Sequence, residues 1–461
     1  MSLNRSISNF SFFSMTASLF VTVYEYPTFA GYGKTAIFFL LFCGIFWFLP
    51  LSLCSAELSG IEGYQEGGIF SWVGNSMGEA NGFAAIFFQW FQVTVGFVTM
   101  LYFIVGTSAY ILKLPSINSD PLYKFLVVIS LFWILTALQL KGTDVTTRIA
   151  KYGFSIGIIL PVIIMLILTI FYFFDGHHIS TNFTQYKFYP TTKDLPALST
   201  FLLAYMGVEA SAPHISDLQN SRKNYPKILV QLVLVGILTS AIGGSILSMV
   251  LPGKISANEG VMDAISRLFY SNHLLVFFFG FLIIFGITAQ VSSWIVSPTE
   301  GLQYTAKRGI LSEKITAKNS AGVPVKLLVL QGLIVTLWAA LLTFSSGSAG
   351  GALSFQAAIS LTVLIYLSAY VLLFCSYLLT AVKKDSLQRS FKVPGGKCMK
   401  LILGSLGLVI SVLAIATTFL IPKSIPNSQG KIYILMLIIS YVIVICIPYG
   451  IYFAIKRKSR A

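Results

Sequence analysis

Long apolar runs, each bounded by polar or charged residues, recur along the whole chain. They predict twelve membrane-spanning helices, at about 11–33, 35–57, 83–112, 122–141, 150–174, 196–218, 226–251, 273–304, 323–344, 354–381, 399–421 and 432–455. Two shorter segments, 66–77 and 257–269, are predicted to be interfacial helices. The pattern therefore predicts an all-α polytopic membrane protein with a single transmembrane domain over residues 1–461.

Two of these spans, the first and the sixth, carry residues that interrupt a helix near its middle. The sixth contains Gly207, Glu209 and Pro213, and the first contains Glu25 and Pro27. A carboxylate inside an apolar span is costly, which makes it a candidate functional residue. Glycine and proline allow the helical hydrogen-bond ladder to open, and opened backbone is tolerated where it lines a cavity. Because secondary transporters bind substrates between broken helices, this pattern predicts a transporter.

The two interrupted spans are five helices apart, which is the spacing expected of an inverted repeat. We predict one repeat over about 11–174, a second over about 196–381, and two additional helices over about 399–455.

Composition and charge agree with this interpretation. A mean hydropathy of +0.81 with 10% charged residues excludes an ordinary soluble domain. Most of the 31 Lys and Arg residues fall in alternate connections, such as 307–326 and 383–400, which predicts that these connections and both termini are cytoplasmic. The same bias explains the net charge of +15 without a nucleic-acid partner.

An amino acid bound in the membrane needs partners for its carboxylate and its ammonium. Since no Lys or Arg is predicted at the membrane centre, the carboxylate is expected to bind backbone N–H groups at half-helices that start near Pro27 and Gly207. The ammonium is expected to bind opened carbonyls, tyrosine faces or a carboxylate, with Glu25 and Glu209 as candidates. The alternative is that both glutamates make satisfied contacts between helices.

Two residue pairs at helical spacing extend the candidate site. Gln290 and Trp294 share a face of the eighth span, and Tyr366 and Tyr370 share a face of the tenth. Plain packing is the alternative, but buried tyrosine hydroxyls need hydrogen-bond partners, which favours a polar cavity.

The remaining polar residues indicate no catalytic chemistry. Glu57 and Glu300 are predicted to be solvated caps or loop contacts at cytoplasmic span ends, and His214 either titrates or makes a structural hydrogen bond. The five cysteines are scattered and are predicted to be small buried apolar residues. No metal-ligand cluster, catalytic triad or nucleotide motif occurs in the sequence, so we predict no metal, no cofactor and no enzymatic activity.

Several long motifs point to a known family. They are VYEYPTFA at 23–30, the EGGIFSWV loop, YMGVEASAPH at 205–214, SSWIVSP at 292–298, LTVLIYLSAY at 361–370 and PGGK at 394–397. With these motifs the chain resembles the bacterial glutamate/γ-aminobutyrate antiporters of the amino acid–polyamine–organocation (APC) superfamily, over about residues 10–455. The resemblance implies a LeuT-like five-plus-five inverted repeat with helices 1 and 6 discontinuous. It also implies exchange of external glutamate for internal γ-aminobutyrate across the bacterial inner membrane by alternating access.

The resemblance also implies which residues form the pathway and the site. They are Tyr24, Glu209, Trp294, Tyr366 and Tyr370.

The chain departs from the family pattern in two places. The family motif has a carboxylate where this chain has Gln290, which leaves proton-coupled selection of substrate charge open. Acid-resistance members carry a C-terminal extension that plugs the inner mouth near neutral pH. This chain ends at Ala461, soon after the twelfth span, which predicts that the plug is absent and that the protein works near neutral pH. The alternatives are a proton-coupled glutamate or broader amino-acid importer and, from other classes, a channel or a non-transporting receptor.

Overall fold

The computed structural model describes residues 7–345, 351–421, 425 and 427–458. Within them the chain is helical, and its only β-structure is isolated bridges. The principal helices are α1 (Asn9–Phe20), α2 (Tyr26–Ala30), α3 (Gly33–Ser59), α4 (Ile69–Met77), α5 (Glu79–Leu112), α6 (Pro121–Gln139), α7 (Val145–Phe174), α8 (Leu198–Leu203), α9 (Ser221–Val250), α10 (Gly260–Leu268), α11 (His273–Tyr304), α12 (Val325–Ser345), α13 (Gly351–Lys383), α14 (Gly396–Thr418) and α15 (Gly430–Lys458).

The predicted spans match these helices closely. Eleven segments in the described part of the chain are long and apolar enough to cross a membrane, and they coincide with predicted spans two to twelve. Helices α1 and α2 occupy the first predicted span, and α4 and α10 form where short helices were expected. The all-α membrane fold is therefore confirmed, whereas the count of twelve, the inverted repeat and the interfacial position of α4 and α10 stay predictions. Ala461 lies outside the described residues.

The first span is broken between α1 and α2, as the sequence predicts. Residues 21–25 are not helical, and helix resumes at Tyr26 with Pro27 in its first turn. Proline fits there because the N–H that it lacks has no intrahelical partner at a helix start. Two hydroxyl pairs hold α1 in place: Ser18 bonds Ser293 of α11 at 2.8 Å, and Thr16 donates to Ser211 at 2.9 Å.

The sixth span is also broken, and its second half has unusual geometry. Helix α8 ends at Leu203, and a 3₁₀ segment runs over Val208–Asp217. Gly207 at the junction has φ +118, a conformation that favours glycine. Since 3₁₀ runs longer than about three to four residues are uncommon, such a segment often marks a functional hinge or strain.

A buried ion cluster joins the end of α3 to the connection between α13 and α14. Glu57 is fully buried and pairs with Arg389, with Lys400 at 2.9 Å and with the Tyr377 hydroxyl at 2.9 Å. The hydrogen bond from Lys400 also holds the pKa of Asp385, in that connection, below its usual value. Of the two alternatives predicted for Glu57, the loop contact is therefore correct and the solvated cap is wrong, because the connection folds back over the carboxylate and excludes water.

Other polar side chains also differ from expectation. Glu300 lies 3.4 Å from Nδ1 of the buried His214, so it contacts another segment rather than capping its own helix in solvent. Cys43 and Cys54 are buried as predicted, whereas burial is wrong for the two exposed cysteines, Cys398 and Cys446. Cys398 lies in the first turn of α14 and Cys446 in α15, and neither side chain is covered by other helices.

Candidate functional site

A cavity of about 240 Å³ lies where the first span is broken, between α1, α2, α5, α11 and α13. A single water needs only about 10–15 Å³ on such a measure, so this cavity has room for a small ligand. Five of the predicted site residues line it, namely Tyr24, Glu25, Gln290, Trp294 and Tyr366. The break in the first span is therefore built around a ligand-sized space.

The end of α1 is held by the Gln290 and Trp294 pair. The carbonyl of Leu19 accepts from the indole N–H of Trp294 at 2.6 Å and from the Gln290 amide at 3.2 Å. Carbonyls in the last turn of a helix have no intrahelical partner, so a helix that ends inside the membrane needs such donors. The two side chains thus share a face, as their spacing predicts, and support the break.

Glu209 is already well bonded and does not line the cavity. Its Oε1 accepts from the Gln89 amide at 2.8 Å and from the Tyr366 hydroxyl at 2.7 Å, and its Oε2 accepts from the Tyr370 hydroxyl at 2.9 Å. The residue is 1% exposed. The carboxylate therefore ties the broken sixth span to α5 and α13 instead of facing the space where a ligand fits.

The expected backbone site for a substrate carboxylate is occupied by the protein itself. The N–H of Gly207 donates to the Tyr370 hydroxyl at 2.9 Å. At the start of α2, Pro27 has no N–H, and the N–H of Thr28 bonds to the carbonyl of Glu25 at 2.9 Å. These donors are not turned to a ligand, because the breaks satisfy them locally.

Two buried acceptor oxygens, on residues that line the cavity, have no hydrogen-bond partner in the described part of the chain. They are Oε2 of Glu25 and Oε1 of Gln290. Leaving a buried polar atom unbonded costs about 1–3 kcal/mol, and more for a charged group, so a ligand with donors would relieve this cost. No Lys or Arg occurs among the described residues that line the cavity. Its chemistry therefore suits a cationic donor such as an ammonium group.

Several polar residues of the site were missed from the sequence. Gln89 bonds Glu209, and Gln92, Asn258 and Gln356 line the cavity. The sequence contains a signal for Gln89 and Gln92. The two amides lie three residues apart in an apolar span and so share a helical face.

Replacing Gly207 by alanine is expected to disrupt this site. The added Cβ would lie 2.7 Å from Cζ2 of Trp294, so the indole would have to move, and φ +118 would strain any L side chain. We expect a cost of about 1–3 kcal/mol in stability and a clear loss of transport rate. Thermal unfolding in detergent and transport by the reconstituted variant measure the two effects.

Gly253→Ala is the matched control, because Gly253 also has positive φ, at +72, but has open space where its Cβ would be. Equal losses of stability and of transport rate in both variants would contradict a specific role for the contact between Gly207 and Trp294.

Comparison with known proteins agrees with this geometry. Residues 7–444 match the model of the amino acid permease family. The chain is 44% identical to the glutamate/gamma-aminobutyrate antiporter of Lactococcus lactis subsp. lactis (strain IL1403), over 97% of this chain and 90% of that protein. It is also 44% identical to the protein of the same name from L. lactis subsp. cremoris (strain MG1363), over 99% of this chain and 92% of that protein. An uncharacterized transporter of Legionella pneumophila is 28% identical over 92% of this chain. With a family match over most of its length and a ligand-sized cavity between broken helices, this chain is a multi-span membrane transporter that belongs to the amino acid permease family.

Proposed function

We propose that this protein is an antiporter of the bacterial cytoplasmic membrane that imports glutamate in exchange for γ-aminobutyrate, or for a related amino acid. The observation that carries this proposal is the 44% identity, over nearly the whole chain, to two proteins that bear the name of that activity. The cavity between α1, α2, α5, α11 and α13 is the site that we assign to the substrate. Both termini are taken as cytoplasmic, in line with the distribution of basic residues.

The substrate ammonium is assigned to Glu25 and Gln290, which line the cavity and each keep one unbonded buried oxygen in the described part of the chain. Tyr24, Trp294 and Tyr366 form the surrounding wall.

The remaining predicted site residues act one layer behind this wall. Pro27 and Gly207 shape the two breaks, and Glu209 with Tyr370 fixes the sixth span against α13. They position the residues that contact the substrate.

Exchange of this kind involves no covalent chemistry. Alternating access requires only that the bound substrate interacts differently with the outward-open and inward-open states. Because the cavity holds the Glu25 carboxylate and no lining Lys or Arg, a substrate of lower net negative charge enters it more easily. Uptake of glutamate is therefore expected to rise as the pH falls.

Purified protein in liposomes tests the proposal. Liposomes loaded with γ-aminobutyrate should take up labelled glutamate, and empty liposomes should not, with the rate increasing from about pH 8 to about pH 5 as carboxyl groups approach their ordinary range. Protein-free liposomes are the control. A rate that stays flat across this pH range would contradict the argument from charge.

The same assay separates the alternative, a proton-coupled importer of glutamate or of a broader set of amino acids. The Glu25 carboxylate at the cavity wall, with its unbonded Oε2, favours this candidate, because it is a group that can carry a proton. Uptake into empty liposomes under an inward proton gradient would establish the importer and exclude obligatory exchange.

A further inference from the structure

A second cavity lies directly beside the substrate cavity. It has a volume of about 340 Å³ and is bounded by α2, α8, α13, the end of α14 and the connection between α7 and α8. Three residues, Thr28, Thr200 and Gln356, line both cavities. We call this second cavity the outer vestibule, because the connection between α7 and α8 is external in the orientation proposed above. These three shared polar residues form a partition between the two cavities.

The partition lies at the broken first span. Thr28 is exposed, although its neighbours Pro27 and Phe29 in α2 are buried. An exposed residue between buried ones in a helix faces open space. For Thr28 this space is the two cavities that the residue lines. A ligand in the outer vestibule would therefore touch the same helix that forms the substrate site.

The outer vestibule carries a positive charge. Lys193 is the one charged side chain among the described residues that line it. Lys193 has no ion-pair partner in the described part of the chain. The neighbouring Asp194 is buried and does not line the vestibule, and its Oδ2 accepts from the N–H and the hydroxyl of Thr191 at 2.9 and 2.7 Å. The charged side chains that line the two adjacent cavities thus have opposite sign, Lys193 in the outer vestibule and Glu25 in the substrate cavity.

We propose that the outer vestibule is a recruitment site for the carboxylate groups of an external amino acid, with Lys193 as the residue that binds them. Hydroxyl and amide groups of Ser199, Thr200 and Gln356 line the path from there to the substrate cavity. An anionic amino acid interacts with Lys193 more strongly than a zwitterion of zero net charge does. The site therefore favours glutamate over γ-aminobutyrate among external substrates, and it rests on the exchange activity proposed above.

The test is the Lys193→Gln variant in proteoliposomes, with kinetics measured from the external face. We expect the KM for external glutamate to rise about threefold, the scale of one exposed charge interaction, with the maximal rate unchanged. The KM for external γ-aminobutyrate should stay the same. Raising the salt concentration should increase the glutamate KM of the unmodified protein and leave that of the variant nearly constant.

Two further variants make the test specific. Lys187→Gln removes a lysine from the same connection that does not line the outer vestibule, and its KM should be unchanged. Lys193→Arg should keep the KM of the unmodified protein, because it keeps the charge. An unchanged glutamate KM in Lys193→Gln, or an equal rise in Lys187→Gln, would overturn the proposal while leaving exchange itself intact. Absence of exchange in the unmodified protein would instead refute the proposed function.

Discussion

Glu25→Gln is expected to reduce amino-acid exchange by one to two orders of magnitude, since a hydrogen bond to a charged group contributes about 1.5–3 kcal/mol. Glu25 lines the cavity, and its buried Oε2 has no hydrogen-bond partner in the described part of the chain, so the substitution breaks no hydrogen bond at that oxygen. Glutamine keeps the volume and removes the charge. The variant should therefore fold normally and bind the substrate ammonium weakly.

Substrate-dependent thermal stability measures this effect apart from transport. A ligand stabilises the folded state by an amount that grows with the logarithm of its concentration relative to its dissociation constant. The unmodified protein should melt at a higher temperature when glutamate or γ-aminobutyrate is added. Glu25→Gln should show the same melting temperature without ligand and a much smaller shift with it. Normal counterflow in Glu25→Gln would remove this residue from the substrate site.

Glu209→Gln is the matched comparison, because the same chemical change is made at a carboxylate that the protein already uses. A glutamine side chain has one acceptor oxygen, so it cannot accept all three bonds that Gln89, Tyr366 and Tyr370 now donate. The melting temperature of the Glu209→Gln variant should fall even without ligand, and its transport rate should fall as well. A variant that lost ligand stabilisation alone would show that Glu209 contacts the substrate directly.

The two broken spans could be predicted from the sequence because their causes are local. A proline after a carboxylate in the first span and a glycine before one in the sixth act on their own stretch of backbone. The structure breaks the helices at those positions. The spacing of Gln290 and Trp294 was informative for the same reason, since a helix fixes which side chains share a face.

The different roles that the structure indicates for the two glutamates could not be predicted in this way. Both stand in the middle of apolar spans, and the sequence presents them as equal candidates. Glu209 is satisfied only because α5 and α13 meet beside it and bring Gln89, Tyr366 and Tyr370 within hydrogen-bond distance. Glu25 keeps an unbonded oxygen because the backbone opens there into a cavity. Such differences depend on tertiary packing.

The buried ion cluster likewise could not be predicted from the sequence, because its residues lie far apart in the chain. Glu57 and Arg389 are separated by 332 positions, and no local pattern connects them. The backbone adds to their contact: Ser390 donates its N–H to the carbonyl of Gly60 at 2.9 Å, and Val393 donates its N–H to Glu57 at 3.0 Å. The connection between α13 and α14 is thereby fastened to the C-terminal end of α3. In an alternating-access protein, such a fastening keeps these three helices together while other parts move.

Glu57→Ala is therefore expected to be severely destabilising, by about 3–5 kcal/mol, because it removes the buried carboxylate and leaves Arg389 and Lys400 with only the half-exposed Asp385 as counter-charge. We expect low expression and a large fall in the temperature at which the detergent-solubilised protein aggregates. Glu66→Ala is the control, since Glu66 pairs with Lys307 at 3.0 Å in a site where both side chains are 62% exposed. An exposed pair contributes only about 0–1 kcal/mol, so this variant should behave like the unmodified protein.

A triple variant distinguishes the destabilisation caused by an unpaired buried charge from the destabilisation caused by lost hydrogen bonds. Replacing a buried ion pair by apolar residues of similar volume is often neutral or stabilising, whereas removing one partner is not. Glu57→Leu combined with Arg389→Met and Lys400→Met should therefore be more stable than Glu57→Ala alone, although Asp385 loses both of its basic partners at the exposed edge of the cluster. If the triple variant were as unstable as Glu57→Ala, the hydrogen bonds that Glu57 accepts from Tyr377 and Val393 would be the main contribution of Glu57 to stability. If Glu57→Ala were as stable as Glu66→Ala, water would have to reach the two basic side chains, and the buried cluster would not be what fastens α3 to α13 and α14.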